Sequence, residues 1–304
     1  MKLCTFQTGD LPEVGWVQGD LIVPVQRVLP QLLSPHQPMM DLVARWGTVQ
    51  PVLKGLQTGS SSAALAPAML RRDQVKLLAP IPRPGKVLGI GLNYVEHVNE
   101  KIIGESRSVP EHQIWFTKLA TAINGPYDPI ELPDEAVSRM VDYEAELVVI
   151  IGQRCKHVSR ERAPEVVFGY CVGNDVSVRD WQKRTSQWTL GKSFDTHAPF
   201  GPWITTADEL PEPHGLDMRC WINGELRQNS NTRLMIHQVW DQIALLSTVM
   251  TLEPGDVIYT GTCSGVGAAF DPPKFLRVGD QVKIEIDTLG MIEARCVAEP
   301  TGAD

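Results

Sequence analysis

Three acidic residues precede a very apolar stretch near the middle of the chain. Asp142, Glu144 and Glu146 occupy alternate positions, and residues 147–151 read LVVII. Because successive side chains of a strand point to opposite faces, the three carboxylates are expected on one face. A charged, exposed strand edge that resists aggregation would show the same pattern. The apolar run favours a central strand, and carboxylates at the mouth of such a strand would need a cation.

A third oxygen ligand is available from Asp175, which ends the apolar segment 166–174. An aspartate in this position is also typical of a turn or a helix cap. Together with Glu144 and Glu146 it would suit a hard ion such as Mg²⁺ or Mn²⁺, and Ca²⁺ could take the same place in crystals. Open positions on the ion would remain for water and a chelating substrate, as in a catalytic metal site.

A histidine and a glutamate lie three residues apart, at His97 and Glu100. On a helical turn they would be neighbours, and a carboxylate beside an imidazole orients it and raises its basicity, as a general base requires. An exposed polar contact on a surface helix would have the same spacing. Residues 101–113 are polar, which suits a mobile lid. A dinucleotide fingerprint is excluded because Tyr94 stands where the third glycine is needed.

Two cations follow Asp175 at short intervals. Arg179 comes about one helical turn later, and Lys192 lies within the segment 189–194. Either could bind an anionic substrate, although surface cations are common. The segment 260–267 (TGTCSGVG) could present backbone N–H groups to a carboxylate, but it lacks the Gly-Lys-Ser/Thr ending of a phosphate loop.

The composition limits the classes of function. The 304-residue chain is 43% hydrophobic and 21% charged, which is typical of a globular protein. Its net charge of -8, without a Lys/Arg cluster, argues against nucleic-acid binding. Six scattered cysteines argue against zinc knuckles and disulfides, and the first 15 residues lack the apolar stretch of a signal peptide. We therefore expect a cytoplasmic protein with no membrane role.

Turn residues and apolar periodicity divide the chain into short elements. We expect a small N-terminal β-rich domain over residues 1–72 and a catalytic domain over residues 73–304. A helix is expected over residues 39–46, ending at Gly47, and the only long helix over residues 236–250. The second domain has strand-like segments at 86–90, 114–118, 143–151, 198–204, 217–222, 256–260, 281–286 and 291–297. The pattern predicts a β-rich α+β fold without βαβ alternation.

The order of these motifs resembles that of the fumarylacetoacetate hydrolase family across roughly residues 75–298. The similarity rests on the segments 91–97 (GLNYVEH), 142–147 (DYEAEL), 173–175 (GND), 179–180 (RD), 189–194 (TLGKSF), 223–225 (NGE), 253–256 (EPGD) and 260–262 (TGT). Two departures are Leu119, where relatives commonly have proline, and Cys263, where many acylpyruvases have proline. The resemblance implies a mixed β-sandwich roll with a small leading domain, usually a homodimer.

The resemblance also implies a role for each matching residue. It implies metal ligands at Glu144, Glu146 and Asp175 and a water-activating pair at His97 and Glu100. It further implies a catalytic lysine at Lys192 and substrate contacts from Tyr94, Arg179, Gln182 and Thr262.

The expected reaction is metal-dependent hydrolysis of a carbon–carbon bond in a 2,4-dioxo acid, such as an acylpyruvate or a sugar-derived diketo acid. Water activated by His97 would attack the distal carbonyl, and a carboxylate and a pyruvate-type 2-oxo acid would be released. Three other reactions stay open: decarboxylation of oxaloacetate, decarboxylation or isomerisation of a ring-cleavage product, and hydration of a 2-oxo-alkenoate. A catalytically silent scaffold of the same fold is the non-enzymatic alternative.

Overall fold

The structure, a computed structural model, describes residues 1–58, 65–102 and 108–300. Its strands are β1 (Lys2–Gln7), β2 (Pro12–Gln18), β3 (Leu21–Pro24), β4 (Leu70–Arg71), β5 (Lys76–Leu78), β6 (Val87–Gly91), β7 (Ile114–Thr117), β8 (Ile123–Asn124), β9 (Ile130–Leu132), β10 (Val141–Asp142), β11 (Ala145–Ile151), β12 (Val167–Asn174), β13 (Ser177–Val178), β14 (Ala198–Thr206), β15 (Asp217–Ile222), β16 (Glu225–Asn231), β17 (Val257–Tyr259), β18 (Gln281–Ile286) and β19 (Gly290–Ala298). Its α-helices are α1 (Val25–Val28), α2 (Pro38–Ala44), α3 (Trp46–Thr58), α4 (Val95–Val98), α5 (Arg179–Lys183), α6 (Thr189–Lys192) and α7 (Val239–Val249).

Strands from distant parts of the sequence join one large mixed sheet. Its order is β4-β3-β2-β1-β14-β12-β11-β17-β6-β7, with β5 paired to β1 and β8 paired to β14. Most neighbours are antiparallel, but β17 runs parallel to β6 and β8 runs parallel to β14. Because parallel strands end at the same edge of a sheet, the segments that follow β6 and β17 start side by side.

A second sheet, ordered β16-β15-β18-β19-β9, shares a hydrophobic core with the first. Leu147 and Val149 of β11 belong to the same buried cluster as Met218 of β15, Ile284 of β18 and Ile243 of α7. β10 and β13 form a separate two-stranded sheet. The prediction of a β-rich α+β fold with mixed sheets is confirmed.

The central strands β11 and β12 are buried along their whole length. While Leu147 and Val149 face the core shared with the second sheet, Val148 and Ile150 belong to another cluster, which includes Leu3 of β1. A strand covered on both faces can carry charged side chains at low cost only near its ends. This arrangement confines the acidic residues of the segment to the start of β11.

The N-terminal helices differ from the sequence prediction. Gly47 does not end a helix, because it lies inside α3. The helix predicted over residues 236–250 is observed as α7, whose 11 residues make it shorter than α3, which has 13. Gly47 and Pro51 are poor helix formers, and they masked the helical pattern. Val49 and Leu53, one turn apart on α3, are fully buried, and this burial outweighs the weak local propensity.

The first strands extend the large sheet. β1 pairs with β14, so that Lys2 lies opposite Thr205 and Leu3 opposite Ile204. The N-terminal segment therefore contributes to the sheet that carries the site described below. A domain division at residue 72 stays a prediction.

We expect two neighbouring leucines of α7 to differ sharply in their contribution to stability. Leu246 is buried in the core that joins the two sheets, whereas Leu245 is 40% exposed. Leu246→Ala should lower the free energy of unfolding by about 2–5 kcal/mol through lost burial and a residual cavity. Leu245→Ala, the matched control, should change it by less than about 0.5 kcal/mol. Urea titration of both variants measures this, and equal losses would contradict the packing described here.

Candidate metal centre and histidine–glutamate pair

Four strands converge at the edge of the large sheet where the site lies. β6 and β17 are parallel and end there, and β12 ends beside them. β11 is antiparallel to both β12 and β17, so it begins at the same edge. The residues that follow β6, β12 and β17 therefore lie close to the residues at the start of β11.

Glu144, Glu146 and Asp175 come together at this edge. One carboxylate oxygen of each lies within 4.8 Å of the other two, and all three residues are buried. The pairing of β11 with β12 explains this, because Glu146 lies opposite Gly173 and the Asp175 amide donates to the Glu144 carbonyl at 2.9 Å. The structure thus brings the three predicted ligands into one group.

Asp142 does not join them. The strand predicted over residues 143–151 starts only at Ala145, since Asp142 belongs to β10 and lies opposite Ser177 of β13. The Asp142 carboxylate accepts hydrogen bonds from the backbone N–H groups of Gly267 at 2.7 Å and Ala268 at 3.0 Å. Its role is to hold the segment after β17 against the start of β11.

Two buried lysines contact the acidic group. The Lys192 ammonium donates to Glu144 at 2.7 Å and to Asp175 at 2.5 Å. Lys118 donates to the other oxygen of Asp175 at 2.5 Å and to the Val176 carbonyl at 3.1 Å. Burial lowers the pKa of Lys118, and the charge of Asp175 only partly offsets this. Sequence reasoning missed Lys118 as a site residue, although it directly follows β7 and precedes Leu119, where the chain departs from its relatives.

Arg179 lies between two of the carboxylates. Its guanidinium lies 2.6 Å from Glu144, and its Nε donates to Asp142 at 2.9 Å. It also donates to the Gln182 side-chain oxygen at 3.1 Å. Both predicted substrate contacts, Arg179 and Gln182, thus already have partners inside the protein.

The two glutamates differ in how their charge is compensated. Burial favours a higher pKa for Glu144, but Lys192, Arg179 and His97 together lower this pKa. Glu146 accepts a hydrogen bond from the Gly261 backbone N–H at 2.8 Å. Burial, followed by the charges of Asp175 and Glu144, raises the pKa of Glu146 well above its ordinary value. Positive charge is therefore deficient on the Glu146 side of the group.

The donor set fits a divalent metal ion. Its three carboxylates offer the hard oxygen ligands that Mg²⁺ and Mn²⁺ prefer. Within the ranges that the structure describes, no lysine or arginine forms an ion pair with Glu146, although two other carboxylates face it. A cation beside Glu146 would offset that repulsion, whereas the existing cations contact only Glu144 and Asp175.

His97 and Glu100 form a close pair beside the acidic group. The His97 Nδ1 atom lies 2.5 Å from a Glu100 oxygen, and α4 provides the helical turn that the spacing predicted. The pair follows β6, and His97 is near enough to Glu144 to lower the pKa of that carboxyl. The predicted lid over residues 101–113 includes residues 103–107, which lie outside the described part of the chain.

Tyr94 and Thr262 are both buried, but their hydroxyl groups differ. The Thr262 hydroxyl donates to the Ala145 carbonyl at 2.9 Å and accepts from the Gln228 side chain at 2.9 Å. The Tyr94 hydroxyl has no hydrogen-bond partner among the described residues, and the charge of Glu146 contributes to raising its pKa, after burial and Cys263. Of these two hydroxyls, that of Tyr94 is available to a ligand.

Gln228 is a further residue that sequence reasoning missed. It lies on β16 of the second sheet, accepts from the Ala145 amide at 2.9 Å and donates to the Cys263 carbonyl at 3.0 Å. It therefore fixes the start of β11 to the segment after β17. No local motif marks this glutamine, because its partners lie far away in sequence.

Comparison with known proteins identifies the family. Residues 86–297 match the C-terminal domain of fumarylacetoacetate hydrolase. The chain belongs to the fumarylacetoacetate hydrolase family, a family of enzymes that act on small organic acids. This confirms the resemblance found in the sequence.

The relatives differ in the reactions for which they are named. The chain is 47% identical to a mitochondrial oxaloacetate tautomerase of Xenopus laevis, over 96% of this chain and 89% of the relative. It is 36% identical to the maleylpyruvate hydrolase of Sphingobium sp. SYK-6, solved with manganese(II) and pyruvate, with a TM-score of 0.78 over 99% of this chain and 100% of that one. It is 32% identical to a 2-hydroxyhepta-2,4-diene-1,7-dioate isomerase of Mycobacterium marinum, with a TM-score of 0.74 over 99% of this chain and 100% of that one.

The predicted cytoplasmic location is wrong by the same comparison. The similar proteins of Xenopus laevis, Rattus norvegicus and Homo sapiens are all named mitochondrial. The prediction rested on the scattered cysteines and on the missing apolar stretch of a secretory signal, and neither pattern distinguishes the cytoplasm from an organelle. Of the helices in the described ranges, none combines the length and the apolar character needed to cross a membrane.

Glu146→Gln should stabilise the metal-free protein at neutral and alkaline pH. Above the ordinary pKa of 4.5, the folded state keeps a proton on Glu146 that the unfolded state loses. The free energy of unfolding contributed by this group therefore falls as pH rises towards the raised pKa, and glutamine removes that fall. Chemical unfolding in EDTA between pH 5 and pH 9 measures the difference between wild type and variant.

Added Mn²⁺ should reverse the order of stability. A ligand present at a concentration about 100 times its dissociation constant stabilises the folded state by about 2.7 kcal/mol. The variant should gain less from Mn²⁺ than wild type, because it lacks one of the three acidic groups. Glu111→Gln is the control, because Glu111 is exposed, with 91% of its side chain accessible. A Glu146→Gln protein that is less stable than wild type in EDTA at pH 8 would contradict the charge deficit described here.

Proposed function

We propose that the chain is a metal-dependent tautomerase that interconverts the keto and enol forms of a small 2-oxo dicarboxylic acid, with oxaloacetate as its substrate. The observation that carries this proposal is a buried group of three carboxylates beside the His97–Glu100 pair, in which His97 is buried. The 47% identity over nearly the whole chain to an oxaloacetate tautomerase supports this choice of reaction.

Glu144, Glu146 and Asp175 would hold Mg²⁺ or Mn²⁺ in this proposal. When bound, the ion would supply Lewis-acid stabilisation of negative charge on the 2-oxo oxygen. Lys192 adds a hydrogen-bond donor within the same group, and its buried ammonium would help to hold an anionic substrate. The unpartnered hydroxyl of Tyr94 is a further donor for a substrate oxygen.

His97, oriented by Glu100, would act as the general base. It would take a proton from C3 of the keto acid, so that the C3–H electron pair forms a C2=C3 double bond and the 2-oxo oxygen becomes negative. Protonation of that oxygen gives the enol, and the reverse sequence returns the keto form. Each cycle leaves the enzyme in its starting protonation state, and no redox partner is required.

Hydrolysis of a 2,4-dioxo acid is the second candidate. The maleylpyruvate hydrolase, which is 36% identical over 99% of this chain, favours it. In this reaction His97 would deprotonate water, the hydroxide would add to the C4 carbonyl, and the C3–C4 bond would break. The bond electrons form an enolate, which is protonated at C3, and a carboxylate and a 2-oxo acid are released.

The predicted contacts from Arg179, Gln182 and Thr262 stay predictions. Their polar atoms already bond to neighbouring residues, so we propose that they orient Glu144 and the start of β11. The predicted homodimer also stays a prediction, and sedimentation equilibrium would test it.

His97→Gln should lower kcat for enol-to-keto conversion by roughly 10²- to 10⁴-fold, because the general base is lost. The same variant should keep the Mn²⁺-dependent rise in melting temperature, since His97 is not among the three carboxylates. His112→Gln is the control, because His112 is 89% exposed. Wild-type turnover in the His97 variant would remove the proposed role of the pair.

Product analysis separates the two candidate reactions. With Mn²⁺ and oxaloacetate, we expect the ultraviolet absorbance of the enol to decay faster than in buffer, without release of pyruvate. With acylpyruvates, release of pyruvate at a higher kcat/KM would instead identify a hydrolase. A scaffold without activity would accelerate neither reaction, and its melting temperature would not respond to Mn²⁺ with oxalate.

A further inference from the structure

Gly265 contacts the histidine–glutamate pair through its backbone. Its N–H donates to a Glu100 oxygen at 2.5 Å, and the other oxygen of Glu100 lies 2.5 Å from His97. On its other side, the Gly265 carbonyl accepts a hydrogen bond from the Tyr143 hydroxyl at 3.0 Å. We propose that Gly265, held by Tyr143, is a positioning residue that fixes Glu100 and thereby aims His97.

Only glycine fits this position. The φ angle of Gly265 is +102°, in a region that other residues rarely adopt. A Cβ atom here would also lie 1.9 Å from the Arg227 carbonyl oxygen, which belongs to the backbone of β16. The second sheet therefore packs directly against this peptide and leaves no room for a side chain.

The helical turn that carries His97 needs such an external support. α4 has four residues, and a helix this short is not stable by itself. A second contact supports the same turn, because the Ser264 hydroxyl donates to Glu96 at 3.3 Å. Two consecutive residues of the segment after β17 therefore hold α4 from one side.

Tyr143 connects Gly265 to the candidate metal centre. It directly precedes Glu144, it is buried, and its hydroxyl donates to the Gly265 carbonyl. The backbone segment that positions Glu144, a proposed metal ligand, therefore also holds Gly265 through the Tyr143 hydroxyl. Gly265 in turn supports the proposed general base through Glu100. This linkage relates the position of the proposed metal ligand Glu144 to that of the proposed base, and the inference rests on the proposed function of His97.

Tyr143→Phe tests the linkage with the loss of one hydroxyl. We expect kcat with oxaloacetate to fall about 3- to 10-fold, as expected for the loss of one buried hydrogen bond, with KM and the Mn²⁺-dependent melting shift unchanged. Tyr170→Phe is the matched control, because Tyr170 is a buried tyrosine of β12 whose hydroxyl forms no hydrogen bond with Gly265 or Glu100 in the described part of the chain. Gly265→Ala should lower kcat further, and if it does not fold, Tyr143→Phe alone decides.

A double-mutant cycle separates positioning from general destabilisation. In the Glu100→Ala background the contact with Gly265 is already lost, so Tyr143→Phe should change kcat by less than about 1.5-fold. The same loss of kcat in both backgrounds would overturn the proposal, because a structural effect does not require Glu100.

Amide hydrogen exchange provides a measurement that is independent of activity. Tyr143→Phe should increase exchange in residues 95–99 of the Mg²⁺-loaded protein, whereas Tyr170→Phe should not. If wild type proves inactive on oxaloacetate and acylpyruvates, the proposed function fails and this exchange measurement decides the positioning alone. Unchanged exchange in residues 95–99 would overturn the positioning whatever the activity.

Discussion

The burial of like charges at one sheet edge is the constraint on which the rest of the site depends. Glu144, Glu146 and Asp175 approach within 4.8 Å of one another, in a place where water cannot screen them. Such a group is stable only if positive charge is supplied close by. Lys192, Lys118 and Arg179 supply it at Glu144 and Asp175, and the remaining deficit at Glu146 would favour the binding of a divalent ion.

The proposed centre would suit more than one reaction, and the related enzymes carry different names. An acidic group that holds a metal and a base beside it can form an enolate from many 2-oxo acids. Whether the base takes a proton from carbon or from water depends on what the remaining cavity admits. The relatives named as a tautomerase, a hydrolase and an isomerase are consistent with one shared centre and several substrate-specific surroundings.

Local patterns predicted those parts of the site that lie on single elements. The two-residue spacing of Glu144 and Glu146 and the three-residue spacing of His97 and Glu100 indicated these groups, although Glu144 lies just before β11, and the family resemblance implied their roles. Lys118 and Gln228 could not be predicted in this way, because strand pairing brings them to the site from other elements. For the fold, local patterns predicted the β-rich α+β class and the family resemblance implied mixed sheets, but α3 was missed, since tertiary burial overrides the effect of Pro51.

The parallel pairing of β6 with β17 has a consequence for biosynthesis. These two strands are about 170 residues apart in sequence, yet they deliver the histidine turn and its glycine support to one edge. Closing so long a loop is slow and is opposed by chain entropy, so this edge forms late in folding. On any nascent chain that stops before β17, the His97–Glu100 turn therefore lacks its contact with Gly265, and the proposed site requires a nearly complete polypeptide.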